Sequence, residues 1–247
     1  REWRAALAAR GPDRLRYIIN LDHHRDRVVG SSWLGAPVIA HEYTADKLRS
    51  YGHSFPQPII DALASRRPDA AAGLSGARVV VPQITLSEQL KFVRGTREIL
   101  VLHRPGPTPG ALWVHVPDAG VVFTGDSVVL GTHPWLAEAN SGAWLASLAE
   151  LKRVRFRAEI VVPGRGPVGG KSAAEPVMAY LRLVRTRVRR LQRSRRARTE
   201  TSELVAELLR QFPINNESRE RVQRRIKAGL DHVYDEFASG GDSAGSN

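Results

Sequence analysis

Three times before residue 171 a short apolar run leads straight into a polar segment. Tyr17-Ile18-Ile19 precedes Asn20 to Arg27, Val121 to Phe123 precede Thr124-Gly125-Asp126, and Ile160-Val161-Val162 precedes the loop Pro163 to Gly170. Apolar runs of this length, bounded by turn formers, read as buried strands, and the segments after them as loops at strand ends. A rigid sheet that carries polar loops at its strand ends is a good support for acids and bases, because the ladder fixes the backbone while the loop is free to vary.

The pattern between these runs is mixed α/β. Trp3, Ala6, Leu7 and Ala9 suggest a short helix over Arg1 to Arg10, ended by Gly11-Pro12. Pro37 to His41 reads as a second buried strand, with helices near Thr44 to Tyr51 and Pro58 to Ser65. Val79 to Val81 and Ile84 to Leu86 open a β-rich block. Within it, Leu90 to Val93 and Glu98 to Leu102 flank Arg94-Gly95-Thr96 as a hairpin, and Ala111 to Val116 with Val121 to Phe123 flank Pro117-Asp118-Ala119-Gly120 as another. Trp144, Leu145, Leu148 and Leu151 keep a helical face. Three further amphipathic helices follow, marked by Val177 to Leu191, Leu204 to Phe212 and Val222 to Phe237 at three-four spacing. The small, polar end Ser239 to Asn247 reads as a disordered tail.

Composition narrows the chemistry. With 42% hydrophobic and 25% charged residues the chain is an ordinary globular one, so collagen-like and wholly disordered classes are excluded. It has no cysteine, which removes disulfides, thiolate zinc sites, iron–sulfur clusters and cysteine nucleophiles. Any metal is therefore held by His, Asp or Glu. No apolar run approaches the roughly 20 residues that span a bilayer, so no membrane partner is expected and a cytoplasmic protein is. The formal charge of +12 attracts anionic partners at low salt, but an Arg-, Ala- and Gly-heavy composition is also what GC-rich coding produces.

The stretches IINLDHHRDRVVGSSWLGAPVIAH, GPTPGALWVHVPDAGVVFTGD and VVPGRGPVGG, in that order, resemble the metallo-β-lactamase superfamily over Tyr17 to Gly170. The resemblance implies a four-layer αββα sandwich, with the last three helices similar to a C-terminal extension of some hydrolase-like members. It also implies that the N-terminal strands are lacking, since the family ordinarily has a preceding sheet portion. The division implied is a metallo-β-lactamase-like domain over 1–175, a helical extension over 176–238 and a tail over 239–247.

The family's first motif, His-x-His-x-Asp-His, falls on Asp22, His24, Asp26 and Arg27; its Gly-His-Thr-Pro-Gly falls on Gly106-Pro107-Thr108-Pro109-Gly110. The bridging aspartate falls on Asp126, and the histidine of Pro-Gly-His-Gly on Arg165. The resemblance implies two metal ions that activate water and polarise a carbonyl. Only His24, Asp26 and Asp126 keep the family residue. A guanidinium stays protonated and offers no lone pair, so Arg27 and Arg165 cannot ligate. The expectation is a degenerate metal site: a pseudoenzyme in which Arg27 and Arg165 neutralise Asp22, Asp26 and Asp126 and a small-molecule ligand is bound. The alternative is a mononuclear hydrolase of an ester, lactone or thioester, with Asp22, His24 and Asp126 on one Zn, Fe or Mn ion and Asp26 as general base.

Other candidates carry less. His23 falls on a variable motif position and reads as loop packing, and the remaining histidines as structural or surface residues, with His103 the least dismissible. Ser31 and Ser32 lack a nucleophile elbow. Gly164, Gly166, Gly169 and Gly170 read as a tight turn rather than a phosphate loop. A third reading, from another class, is nucleic-acid binding through the arginines between Arg182 and Arg198; a solvated helical face is the simpler account. Oligomeric state and substrate are not encoded in these motifs.

Overall fold

The first hairpin has the two-residue connection its sequence calls for. In this computed structural model, which describes residues 5–7, 9, 15–66, 68, 74, 76–214 and 218–240, β4 (Gln89–Arg94) pairs antiparallel with β5 (Arg97–His103), Arg94 opposite Arg97. Gly95 takes φ +61°, which a side chain at the first central position of such a turn tolerates poorly. The helix expected over Arg1 to Arg10 lies largely outside the described residues, although residues 5–7 are helical. The tail expected over 239–247 lies outside them from residue 241.

The chain forms two compact units, 1–88 and 89–247. In the first, β1 (Ile18–Ile19), β2 (Val38–His41) and β3 (Ile84–Leu86) make a parallel sheet in the order β1-β2-β3. Ile84 to Leu86 therefore belong to this sheet and not to the later β-rich block, and Val79 to Val81 are not a strand. The sequence pattern shows that a segment is extended but not which partner it pairs with. A four-residue helix α1 (Arg25–Val28) follows β1, and α2 (Glu42–Arg49) follows β2. His41 caps α2: its Nδ1 accepts from the Tyr43 amide at 3.0 Å, which leaves Nε2–H to donate to the Ser87 carbonyl at 3.1 Å. With α3 (Gln57–Arg66), residues Val28, Leu48, Phe55, Ile59 and Leu63 form this unit's core.

In the second unit β4 to β8 form one sheet in sequence order, with β6 (Leu112–Val116), β7 (Val121–Val129) and β8 (Ile160–Arg165). All neighbours are antiparallel except β7 and β8, which are parallel because helix α4 (Ser141–Lys152) crosses between them. Val122, Trp113 and Val161 pack with Trp144, Leu148 and Leu151 of α4. The same core takes in α5 (Glu175–Arg193), α6 (Glu203–Gln211) and α7 (Arg219–Ala238) through Val177, Leu181, Val184, Leu208, Ile226 and Leu230. Each of these side chains stabilises by about 1.5–3 kcal/mol when fully buried, so the last three helices and the sheet share one apolar core.

A carboxylate ties the end of the chain into this unit. Glu236 on α7 accepts from the Ser141 amide at 3.1 Å, at the start of α4, and pairs with Arg185 of α5 at 3.1 Å. A negative group at a helix N-terminus meets unpaired amides and the positive end of the helix dipole.

Candidate metal centre

The first half of the candidate centre is the segment after β1. Asp22 is buried and His24, the residue that precedes α1, is half-buried. His24 engages both oxygens of Asp22: its amide donates to Oδ1 at 2.9 Å and its ring Nδ1 to Oδ2 at 3.0 Å. Burial alone would push the Asp22 carboxyl up, but these two bonds and the charges of His24 and His23 outweigh it, and the group is held below the usual carboxylate range. His23 is buried and its ring lies 5.7 Å from that of Tyr43, as expected of a packing residue. Asp26 and Arg27 both lie on α1 and are exposed.

The second half is on the sheet. Asp126 was expected at the end of its strand, and Arg165 in the loop after its own; both lie within strands. β7 runs on to Val129 and β8 to Arg165. The reason is a pair of register shifts, between Phe123 and Gly125 and between Gly125 and Val129, with Gly125 at φ +54°. Such irregularities bend a strand and redirect a side chain without ending the ladder. Arg165 is exposed and Pro107 buried.

Gly164 has a role that tight turning does not describe. A Cβ there would sit 2.1 Å from Asp126 Oδ1 and 2.6 Å from the Asp126 nitrogen, so only glycine lets β8 approach this aspartate so closely. Sequence reasoning missed two further neighbours, Ser127 and Thr108. Both are fully buried, and neither hydroxyl has a hydrogen-bond partner among the described residues. The close packing around Ser127 was latent in Gly106, whose Cβ would meet Ser127 Oγ at 2.4 Å.

Asp22 and His24 in the first unit, and Asp126 in the second, each carry an oxygen or nitrogen of the kind that a divalent cation takes. Arg27, Pro107 and Arg165 have no side-chain lone pair to offer a cation and cannot serve as ligands.

The arginine-rich stretch is largely occupied within the chain. Arg185 pairs with Glu236, Arg187 with Glu207, Arg196 with Glu200 and Glu203, and Arg198 with Asp235. Arg185 and Arg189 also lie over the Phe237 ring. Among the described residues no helix is long and apolar enough to cross a membrane.

The sequence model of the Metallo-beta-lactamase superfamily matches residues 1–165, and the chain belongs to that superfamily and has its mixed α/β fold, with additional C-terminal helices. It is similar to a metallo-beta-lactamase family protein from Thermus thermophilus, at 18% identity and TM-score 0.62, over 96% of this chain and 80% of that one. It is also similar to a metallo-beta-lactamase from Pontibacter korlensis, at 20% identity and TM-score 0.50, over 68% and 69%. A third is the metallo-beta-lactamase IND-7, at 16% and TM-score 0.54, over 73% and 74%. These identities establish shared fold alone. The Thermus match spans so much of the chain that it includes most of the C-terminal helices. No curated protein matches the chain.

Proposed function

We propose that this is a metallo-β-lactamase-fold protein whose dinuclear centre has been reduced to at most one metal position, so that the usual two-metal hydrolysis is lost and the site serves to bind a small-molecule ligand. The observation that carries this reading is chemical. At the family's metal positions stand Arg27, Pro107 and Arg165, none of which has a lone pair to give a cation, and the two guanidiniums repel one. Asp22 and His24 are tied to each other by two hydrogen bonds, which hold the pair in place without a metal. Arg27 and Arg165 answer the charge of Asp22, Asp26 and Asp126, since guanidinium–carboxylate pairs are strong and directional.

A second reading starts from the metal residues that the resemblance implies, Asp22, His24 and Asp126. On it these three hold one divalent ion, which supplies Lewis-acid polarisation of a carbonyl when bound. Asp26, exposed on α1, then takes a proton from water as general base in the hydrolysis of an ester, lactone or thioester. A nucleic-acid function has weaker support, because the arginines it needs are engaged with Glu207, Glu236 and Phe237.

The test is metal content and ester, lactone and thioester hydrolysis of protein purified without chelator, beside a variant carrying Asp22→His, Arg27→His, Pro107→His and Arg165→His. Clearly substoichiometric metal without turnover supports the first reading, and one tightly held ion with turnover the second. Two ions per chain in the unaltered protein overturn both.

A further inference from the structure

We infer that the outer face of α5 is a docking surface for a nucleic-acid duplex, held through its phosphate backbone. Residues 176–199 contain nine arginines and no Asp or Glu, in a chain whose formal charge is +12. The buried side of α5 decides which of these arginines turn outward. Val177, Leu181, Val184, Val188 and Leu191 are in the interior. At about 100° per residue the stripe opposite them is Arg182, Thr186, Arg190 and Arg193, and all four are exposed.

These are not the arginines engaged with Glu207, Glu236 and Phe237. Arg185 and Arg187 reach acids on the neighbouring helices, and Arg189 lies over the Phe237 ring. Arg182, Arg190 and Arg193 make no ion pair with a described residue. Nor does Arg195, exposed just past the end of α5, which holds a left-handed φ of +55° where glycine is usual. A row of guanidiniums without counter-charges attracts a partner whose negative charges are also in a row. Arg182 and Arg193 are about 16 Å apart along the helix axis, a length over which a DNA duplex presents about ten phosphates. The planar fork of each guanidinium matches phosphate oxygens. No aromatic side chain stands on the stripe, so unpaired bases have nothing to stack on and a duplex is the better occupant than a single strand.

The test is fluorescence anisotropy of a short labelled DNA duplex titrated with the full chain across a salt series. Four phosphate contacts give log affinity against log salt a slope of about −3.6, which is about a hundredfold loss between about 50 and about 200 mM salt. Arg182→Gln, Arg190→Gln and Arg193→Gln together keep good helix formers on α5 and are expected to flatten the slope by about 2.7. Arg49→Gln, Arg97→Gln and Arg155→Gln remove the same charge from exposed positions elsewhere, and are expected to change the slope by less than about 1. Equal flattening by the two triple variants overturns the proposal, because bulk charge then accounts for the binding. So does a duplex that stays free at the lowest salt, tighter binding of the corresponding single strand, or capture by phosphatidylserine vesicles under conditions where the duplex is not bound.

Discussion

The indole N–H of Trp144 donates to the carbonyl of Ser127 at 3.0 Å, and Ser127 is the residue after Asp126. Helix α4 thereby holds the backbone of the strand that carries Asp126. Trp144 has no exposure, so this bond has no water to replace it. Trp144→Phe keeps most of the packing and strands a buried carbonyl, at a cost of about 1–3 kcal/mol. Urea unfolding measures it, and a change below about half a kcal/mol would show that the bond does not matter.

Gly164→Ala is expected to be far more damaging than Gly30→Ala. The first drives a methyl into Asp126; the second has nothing within 4 Å and no left-handed backbone. Gly30→Ala should be neutral or stabilising by about 0.4–1 kcal/mol, whereas Gly164→Ala should unfold at lower urea and bind manganese or zinc more weakly. Similar midpoints for the two variants would remove the claim of close approach.

Asp22 links stability to pH in the metal-free protein. Its folded pKa lies below the ordinary carboxylate value, so its contribution is present above about pH 4 and is lost as pH falls through the folded value. The stability difference between the unaltered chain and Asp22→Asn should therefore be constant near neutrality and shrink in acid. A difference that grows on acidification contradicts the assigned direction.

Tyr180 works at the other end of the scale. Its folded pKa is raised by burial, so its contribution is complete below the ordinary phenol value of about 10 and declines as pH rises toward the folded value. Thermal unfolding of the unaltered chain and of Tyr180→Phe between about pH 8 and about pH 11 should show the unaltered chain losing stability faster. Parallel curves would mean that the phenol is not buried.

Ion pairs in this chain are not equivalent. Arg185 and Glu236 have side chains only 15% and 8% exposed, while Arg196 is 44% exposed. Glu236→Ala leaves a cation and the Ser141 amide without their partner and should cost about 3–5 kcal/mol; Arg196→Ala should cost no more than about 1 kcal/mol. Chemical denaturation of both variants decides, and equal losses would refute the distinction.

Much of this architecture was legible in the sequence because its signals are local. Gly95 marks a hairpin, and Val177, Tyr180, Leu181 and Val184 mark a helical face whichever partner they meet. The path of β7 was not legible, because a strand that bulges at Gly125 and continues through Asp126 looks, residue by residue, like a strand that stops. The pairing of β3 with β2 was hidden too, as parallel partners lie far apart in the chain. At the candidate centre the motifs named candidate residues through a resemblance, and no local signal says what each of them does. What Gly164 does for Asp126 was not legible either, because a close approach between strands leaves no mark beyond the glycine itself.

The bond from Ser141 to Glu236 crosses 95 positions of sequence. On a ribosome, the helix that begins at Ser141 emerges long before the carboxylate that seals its first turn has been synthesised. Its entry stays hydrated until α7 docks, so this unit reaches its finished form only after α7 has been made.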